Sequence, residues 1–132
     1  MTGETRPRIP HSAAAGELAG ISDGVMPHNC EQVPVIPMFK KYDFTIIVYG
    51  DSMLPHFHSG DEIACLTVRE RSFIQWGRVH VLDTYQGVVV KRIFEREDGI
   101  LCRSDNAEYP EFTVSGDDIY SIAVVIGLIR RC

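Results

Sequence analysis

Ser52 stands in Gly50-Asp51-Ser52-Met53-Leu54-Pro55, directly after the apolar run 44–49. A serine that follows a strand, in a turn opened by glycine, presents its hydroxyl outward with backbone N–H groups beside it. Those are the parts of an acyl-transfer site: a nucleophile, and donors for the oxyanion that its attack creates. A serine after Gly-Asp is also an ordinary turn former, so the chemical reading needs a base. His56 and His58 follow too soon after Ser52 to face its hydroxyl with a third residue orienting them. They read as surface or loop residues, as does His80 farther along the chain.

The other candidate base is Lys91, in Val88-Val89-Val90-Lys91-Arg92-Ile93. Strand alternation puts Val89, Lys91 and Ile93 on one face and Val88, Val90 and Arg92 on the other. Periodicity does not decide which face is inward. Chemistry does, because arginine stays protonated and cannot accept a proton. A lysine on a buried face loses solvation, its pKa falls, and its neutral amine can take the serine proton.

The elements that must position this pair are short, β-branched and aromatic runs separated by glycine and acidic turns. Strands are expected at 44–49, 62–68, 78–83, 87–94, 100–103, 112–114 and 119–130, with a hairpin around Tyr85-Gln86-Gly87. A short helical turn fits 53–57, with Pro55 in its first turn. The spacing indicates a mostly β fold over residues 42–132. Residues 1–41 differ in texture: they hold Pro7, Pro10, Pro27, Pro34 and Pro37, with Ala13-Ala14-Ala15-Gly16 and Ala19-Gly20 between them. That composition reads as an extended N-terminal arm lying across a folded body.

The chain has 132 residues, enough for one domain that needs no disulfide or metal staple. With 13 basic and 18 acidic residues its net charge is −5, which makes it a poor binder of nucleic acid by itself. Cys30, Cys65, Cys102 and Cys132 are spread along the chain without a Cys-x-x-Cys or Cys/His cluster, so neither a metal nor another cofactor is expected. Cys65 and Cys102 read as reduced core residues. The longest apolar run, 122–129, falls well short of the roughly 20 residues of a membrane span, and there is no signal peptide pattern. A soluble, cytoplasmic protein is expected.

Several short motifs recur here in a familiar order. Gly-Asp-Ser-Met at 50–53 is followed by Ser59-Gly60-Asp61, Gly77-Arg78-Val79, Val90-Lys91-Arg92, Ser104-Asp105-Asn106 with Tyr109, and Ile126-Gly127-Leu128-Ile129-Arg130. In this register the sequence resembles the self-cleaving Ser/Lys domain of LexA, phage CI-type repressors and UmuD, peptidase family S24, over nearly the whole chain. The resemblance implies a LexA C-terminal-domain-like, signal-peptidase-like bent β-sheet or β-ribbon barrel. It implies Ser52 as nucleophile, Lys91 as general base and the backbone N–H groups of Asp51 and Ser52 as the oxyanion hole. Family members cut their own chain at an Ala-Gly or Cys-Gly bond a few tens of residues before the serine. Here that bond is Ala15-Gly16, with Ala19-Gly20 in reserve. Ser12 and Ala13 depart from the bulkier apolar residue that LexA-like arms carry there.

The resemblance further implies a homodimer, a RecA–DNA filament as the trigger of cleavage after DNA damage, and DNA contact only through a helix-turn-helix domain outside this chain. It leaves other roles open: a UmuD-like accessory subunit of a translesion polymerase, or a dimerisation or sensor module that keeps the fold without cutting. Type I signal peptidases share the Gly-Asp-Ser-Met-x-Pro and Lys-Arg motifs, but the membrane anchor and apolar docking surface that they use are not apparent in this sequence.

Overall fold

The computed structural model describes residues 3–10, 16, 18–21, 30–39 and 41–132. Among them are nine strands: β1 (Thr5–Ile9), β2 (Glu31–Pro34), β3 (Phe44–Ile47), β4 (Glu62–Thr67), β5 (Val79–Thr84), β6 (Gly87–Arg96), β7 (Gly99–Arg103), β8 (Phe112–Val114) and β9 (Ile119–Ile129). They form one open mixed sheet in the order β2-β1-β3-β4-β9-β5-β6-β7-β8. Only β1 and β3 pair in parallel; the other neighbours are antiparallel. The mostly β fold expected from the sequence is the one observed. No helix among the described residues is long and apolar enough to cross a membrane.

Alternation along the strands feeds two apolar cores. On β5, Val81 joins Ile9, Phe44, Ile46, Ile63 and Cys65 in the first core, whereas Leu82 joins Ile93, Ile100 and Cys102 in the second. On β6, Val88 and Val90 pack on the first core and Val89 on the second. Cys65 and Cys102 are free, buried thiols, as their apolar neighbours predict. Burial raises the pKa of both, that of Cys102 to about 11, so neither is a thiolate nucleophile near neutral pH.

Two strands fall within the 1–41 segment, where the sequence suggested only an extended arm. β1 pairs with β3 at Arg8↔Thr45 and Ile9↔Ile46, and with β2 from Thr5↔Pro34 to Arg8↔Glu31. Ile9 is wholly buried. The prolines are tolerated because Pro34 ends the outermost strand and Pro7 precedes the two residues that pair with β3. Arg8 fastens β1 across β3 to β4, donating to the Glu62 carboxylate from Nε at 3.0 Å and Nη2 at 3.1 Å. Thr45 Oγ1 donates to the same carboxylate at 2.6 Å.

A neighbouring carboxylate, that of the buried Asp61, fixes the chain that follows Ser52. Asp61 accepts from Arg130 Nε at 2.9 Å and Nη2 at 2.8 Å, and from the backbone N–H of His58 at 2.7 Å. Hydrogen bonds from Arg130 are the main reason that Asp61 titrates below its ordinary 3.8. For Glu62 burial opposes ionisation, but Arg8 and Thr45 outweigh it and the pKa falls below 4.5. A carboxyl with a depressed folded pKa adds stability that is present above its unfolded value and lost as pH falls through the folded one. Urea midpoints are therefore expected to hold from neutral pH to about 5 and to drop below about 4. Glu62→Gln should flatten that drop. A midpoint level down to about pH 3 would contradict the assignment.

Candidate active site

β3 ends at Ile47 and the chain runs on to Gly50, whose φ of +84° reverses it at little cost because glycine has no Cβ. The reversal is pinned by Val48 N–H donating to Asp61 O at 2.8 Å and Gly60 N–H donating to Val48 O at 2.8 Å. Residues 52–56 are consecutive turns between bends at 51 and 57 rather than the expected helical turn, although Phe57 N–H donates to Met53 O at 2.9 Å as a helix would. Met53 is buried and acts as the plug that keeps this loop on the sheet. Ser52 sits half-buried just before it.

Lys91 reaches Ser52 from β6. Its Nζ is hydrogen-bonded to Ser52 Oγ at 2.8 Å. The amine is half-buried, and burial lowers its pKa from 10.5 against the opposing pull of Cys102 and Asp105. Arg92 goes elsewhere: it donates to Asp105 from Nε at 2.9 Å and Nη2 at 3.0 Å, and to Gly77 O from Nη1 at 2.9 Å. Of the two residues, Lys91 is the one that meets Ser52, and Arg92 is bound to Asp105 and Gly77.

The loop after β7 braces the serine turn. Asn106 N–H donates to Ser52 O at 2.9 Å, and Asn106 Nδ2 donates to Asp51 O at 3.1 Å. The Tyr109 hydroxyl donates to the Asp51 carboxylate. That bond raises the phenol's pKa, so it stays a donor at higher pH than a free tyrosine. The Tyr109 ring also lies 6.0 Å from Lys91 Nζ. Asp105 holds this loop to β6 through Arg92 and accepts His56 Nδ1 at 2.8 Å. Desolvation works against its ionisation, but Arg92 and His56 lower its pKa. The sequence carried Asn106 and Tyr109 only as motif letters; their work on Asp51 and Ser52 is visible in the contacts alone.

His56 and His58 lie at the exposed side of the loop, as expected. His80 does not fit the surface reading. It is wholly buried, because β5 is covered on both faces, and it shares the side of Leu82. Its Nδ1 meets Arg78 O at 2.9 Å and its Nε2 accepts from Gln75 N–H at 3.3 Å, and burial lowers its pKa. It is a neutral structural histidine.

Among the described residues no acceptor takes the backbone N–H of Asp51 or of Ser52. Ser52 and Met53 line a cleft of about 210 Å³ together with residues 46–49 and 88–91. β7 pairs with β6 only at 92–96, so among the described residues no strand covers the outer edge of 88–91. Of the expected cleavage bond, Ala15 lies outside the described residues. Gly16 is described, and its N–H donates to Asp83 Oδ1 at 2.7 Å.

A Peptidase S24-like family model matches residues 9–126, most of the chain and every residue of the site just described. The chain belongs to the Peptidase S24-like family. It is also similar to a Haemophilus influenzae protein named an uncharacterized HTH-type transcriptional regulator, 32% identical over 104 residues. That match takes in 78% of this chain and 43% of the relative, so the chain spans less than half the length of the curated relative. In this S24-like chain the Ser52–Lys91 contact brings a hydroxyl and a partly desolvated amine together at the cleft.

Proposed function

We propose that this chain is the self-cleaving regulatory domain of a LexA- or phage-repressor-like transcriptional regulator. The observation that carries the reading is the 2.8 Å contact between Lys91 Nζ and Ser52 Oγ at a half-buried site. The relative's name, a helix-turn-helix regulator of more than twice the matched length, supports a DNA-binding partner domain. Cutting the 1–41 segment would separate that domain from this one.

In the proposed reaction the neutral Lys91 amine takes the Ser52 proton as Oγ bonds to the carbonyl carbon of Ala15. The oxyanion is held by the N–H groups of Asp51 and Ser52. Collapse breaks the bond to Gly16, whose nitrogen receives the proton from Lys91. Water, deprotonated by Lys91, then releases residues 1–15 from Ser52. An extended segment of small residues can add to the open edge of 88–91 and present its carbonyl to the cleft. Because the segment is tethered, the attack gains a high effective concentration.

Exposed Ile126, Leu128 and Ile129 on β9 supply an apolar edge for a homodimer. A RecA–DNA filament after DNA damage is the proposed trigger, acting in the cytoplasm by favouring the cleavable position of the arm. The test is the intact mass after alkaline incubation: two fragments divided between Ala15 and Gly16 are expected. A folded chain that stays whole would instead favour a non-cutting dimerisation module.

Tyr109→Phe tests the brace on the serine turn. It deletes the hydrogen bond to the Asp51 carboxylate that braces the serine turn, so cutting should slow about tenfold while the chain stays folded. A rate within about twofold of the parent would remove Tyr109 from the account.

A further inference from the structure

Asp83, on β5, is wholly buried, and two of its bonds go to the arm. Gly16 N–H donates to Oδ1 at 2.7 Å and Leu18 N–H donates to Oδ2 at 3.0 Å. Gly16 has a φ of +89°, a conformation that favours glycine, and this bend aims both amides at one carboxylate. Leu18 and Ile21 continue into the first core, where they are 3% and 6% exposed. A buried carboxylate must be satisfied by donors, and bonds to an ionised acceptor are the strong ones. The arm is therefore fastened at the nitrogen of the bond assigned above as scissile.

Fastened there, Gly16 is not at Ser52. Lys91 is paired across the strands with His80, and Asp83 lies three residues farther along β5, roughly 10 Å at the rise of a strand. The faces differ as well. Asp83 shares the side of Val81 and the first core, whereas Lys91 shares the side of Val89 and Ile93 and the second. Lys91 must protonate the Gly16 nitrogen when the bond breaks, and it cannot reach that nitrogen while Asp83 holds it at this distance and on the other face.

We propose that Asp83 is a positioning residue that holds the arm in an uncut position, so that the Gly16 and Leu18 amides must leave its carboxylate before cleavage. This rests on the self-cleavage reading. Holding and cutting compete for the same peptide nitrogen, and the strength of the hold sets the basal rate.

The test separates the two claims. In a Ser52→Ala chain, which cannot cut, Asp83→Asn replaces one acceptor oxygen by a donor. Hydrogen exchange at the Gly16 and Leu18 amides should rise about 10-fold to 100-fold, the effect of one charge-assisted hydrogen bond, while exchange along β9 stays level. With Ser52 intact, Asp83→Asn should cut faster by a similar factor. Should Asp83→Asn fail to fold, Leu18→Pro deletes the second donor from the arm side, and exchange at Gly16 should rise there too. Raised exchange without any cutting would uphold the hold and count against self-cleavage. Unchanged exchange, or cutting that slows in Asp83→Asn, would overturn the proposal.

Discussion

Lys91→Arg is expected to give a folded chain that remains intact under conditions in which the parent divides between Ala15 and Gly16. Ser52→Ala should do the same. The two substitutions remove different things. Ser52→Ala deletes the oxygen that forms the acyl bond. Lys91→Arg keeps a positive charge and a long side chain but supplies a group that stays protonated at any usable pH. Loss of a general base costs about 10²–10⁴-fold, and loss of the nucleophile at least as much. Either variant should therefore cut about 10³-fold more slowly, with melting temperatures within a few degrees of the parent's. The arginine variant is the more informative, because no loss of bulk explains its failure. Cleavage persisting at Ala15-Gly16 in Ser52→Ala would transfer the chemistry to another residue.

The rate of cutting should climb with pH across the range in which a histidine base would already have levelled off. Only the neutral fraction of Lys91 can accept the serine proton. Below the amine's pKa that fraction grows about tenfold per pH unit. A histidine-dependent reaction would flatten above about pH 7. Burial sets the Lys91 pKa below 10.5, so the climb should bend over before that value. Stability carries the same signature. The unfolded chain binds the Lys91 proton more tightly than the folded one, so stability rises with pH between the folded and unfolded pKa values. The penalty is present in full below the folded value. Lys91→Met should therefore melt at a higher temperature than the parent at neutral pH, while losing activity. A rate profile flat from about pH 7 upward, or a Lys91→Met chain that is less stable, would count against a desolvated amine.

Much of the body was legible because its strands are written in local code. The runs at 62–68, 78–83 and 87–94 alternate and are punctuated by glycine, and β4, β5 and β6 occupy nearly those spans. Ser52 was legible for the same reason, as a turn residue after a strand. Lys91 needed more: alternation offered both Lys91 and Arg92, and the choice came from proton chemistry. What fixes it physically is Asp105, distant in sequence, which claims the guanidinium of Arg92. β1 and β2 were hidden because prolines suppress the strand signal and their pairing is non-local. The surface reading of His80 failed because β5 is covered on both faces by non-local packing, which one short strand does not record. Tyr109, Asn106 and Asp83 act through contacts spanning the chain, to Asp51, Ser52 and Gly16, and no periodicity encodes such pairs.

The most direct measurement is the titration of the Lys91 amine itself, followed through its side-chain carbon and nitrogen resonances in the Ser52→Ala chain. That chain keeps the burial that shifts the amine and cannot cut itself. Lysine occurs only at positions 40, 41 and 91, so comparison with Lys91→Arg assigns the signal. The account predicts a midpoint below 10.5, matching the bend in the parent's rate of cutting. A Lys91 amine that titrates at 10.5 or above, with the cutting rate bending elsewhere, would contradict it.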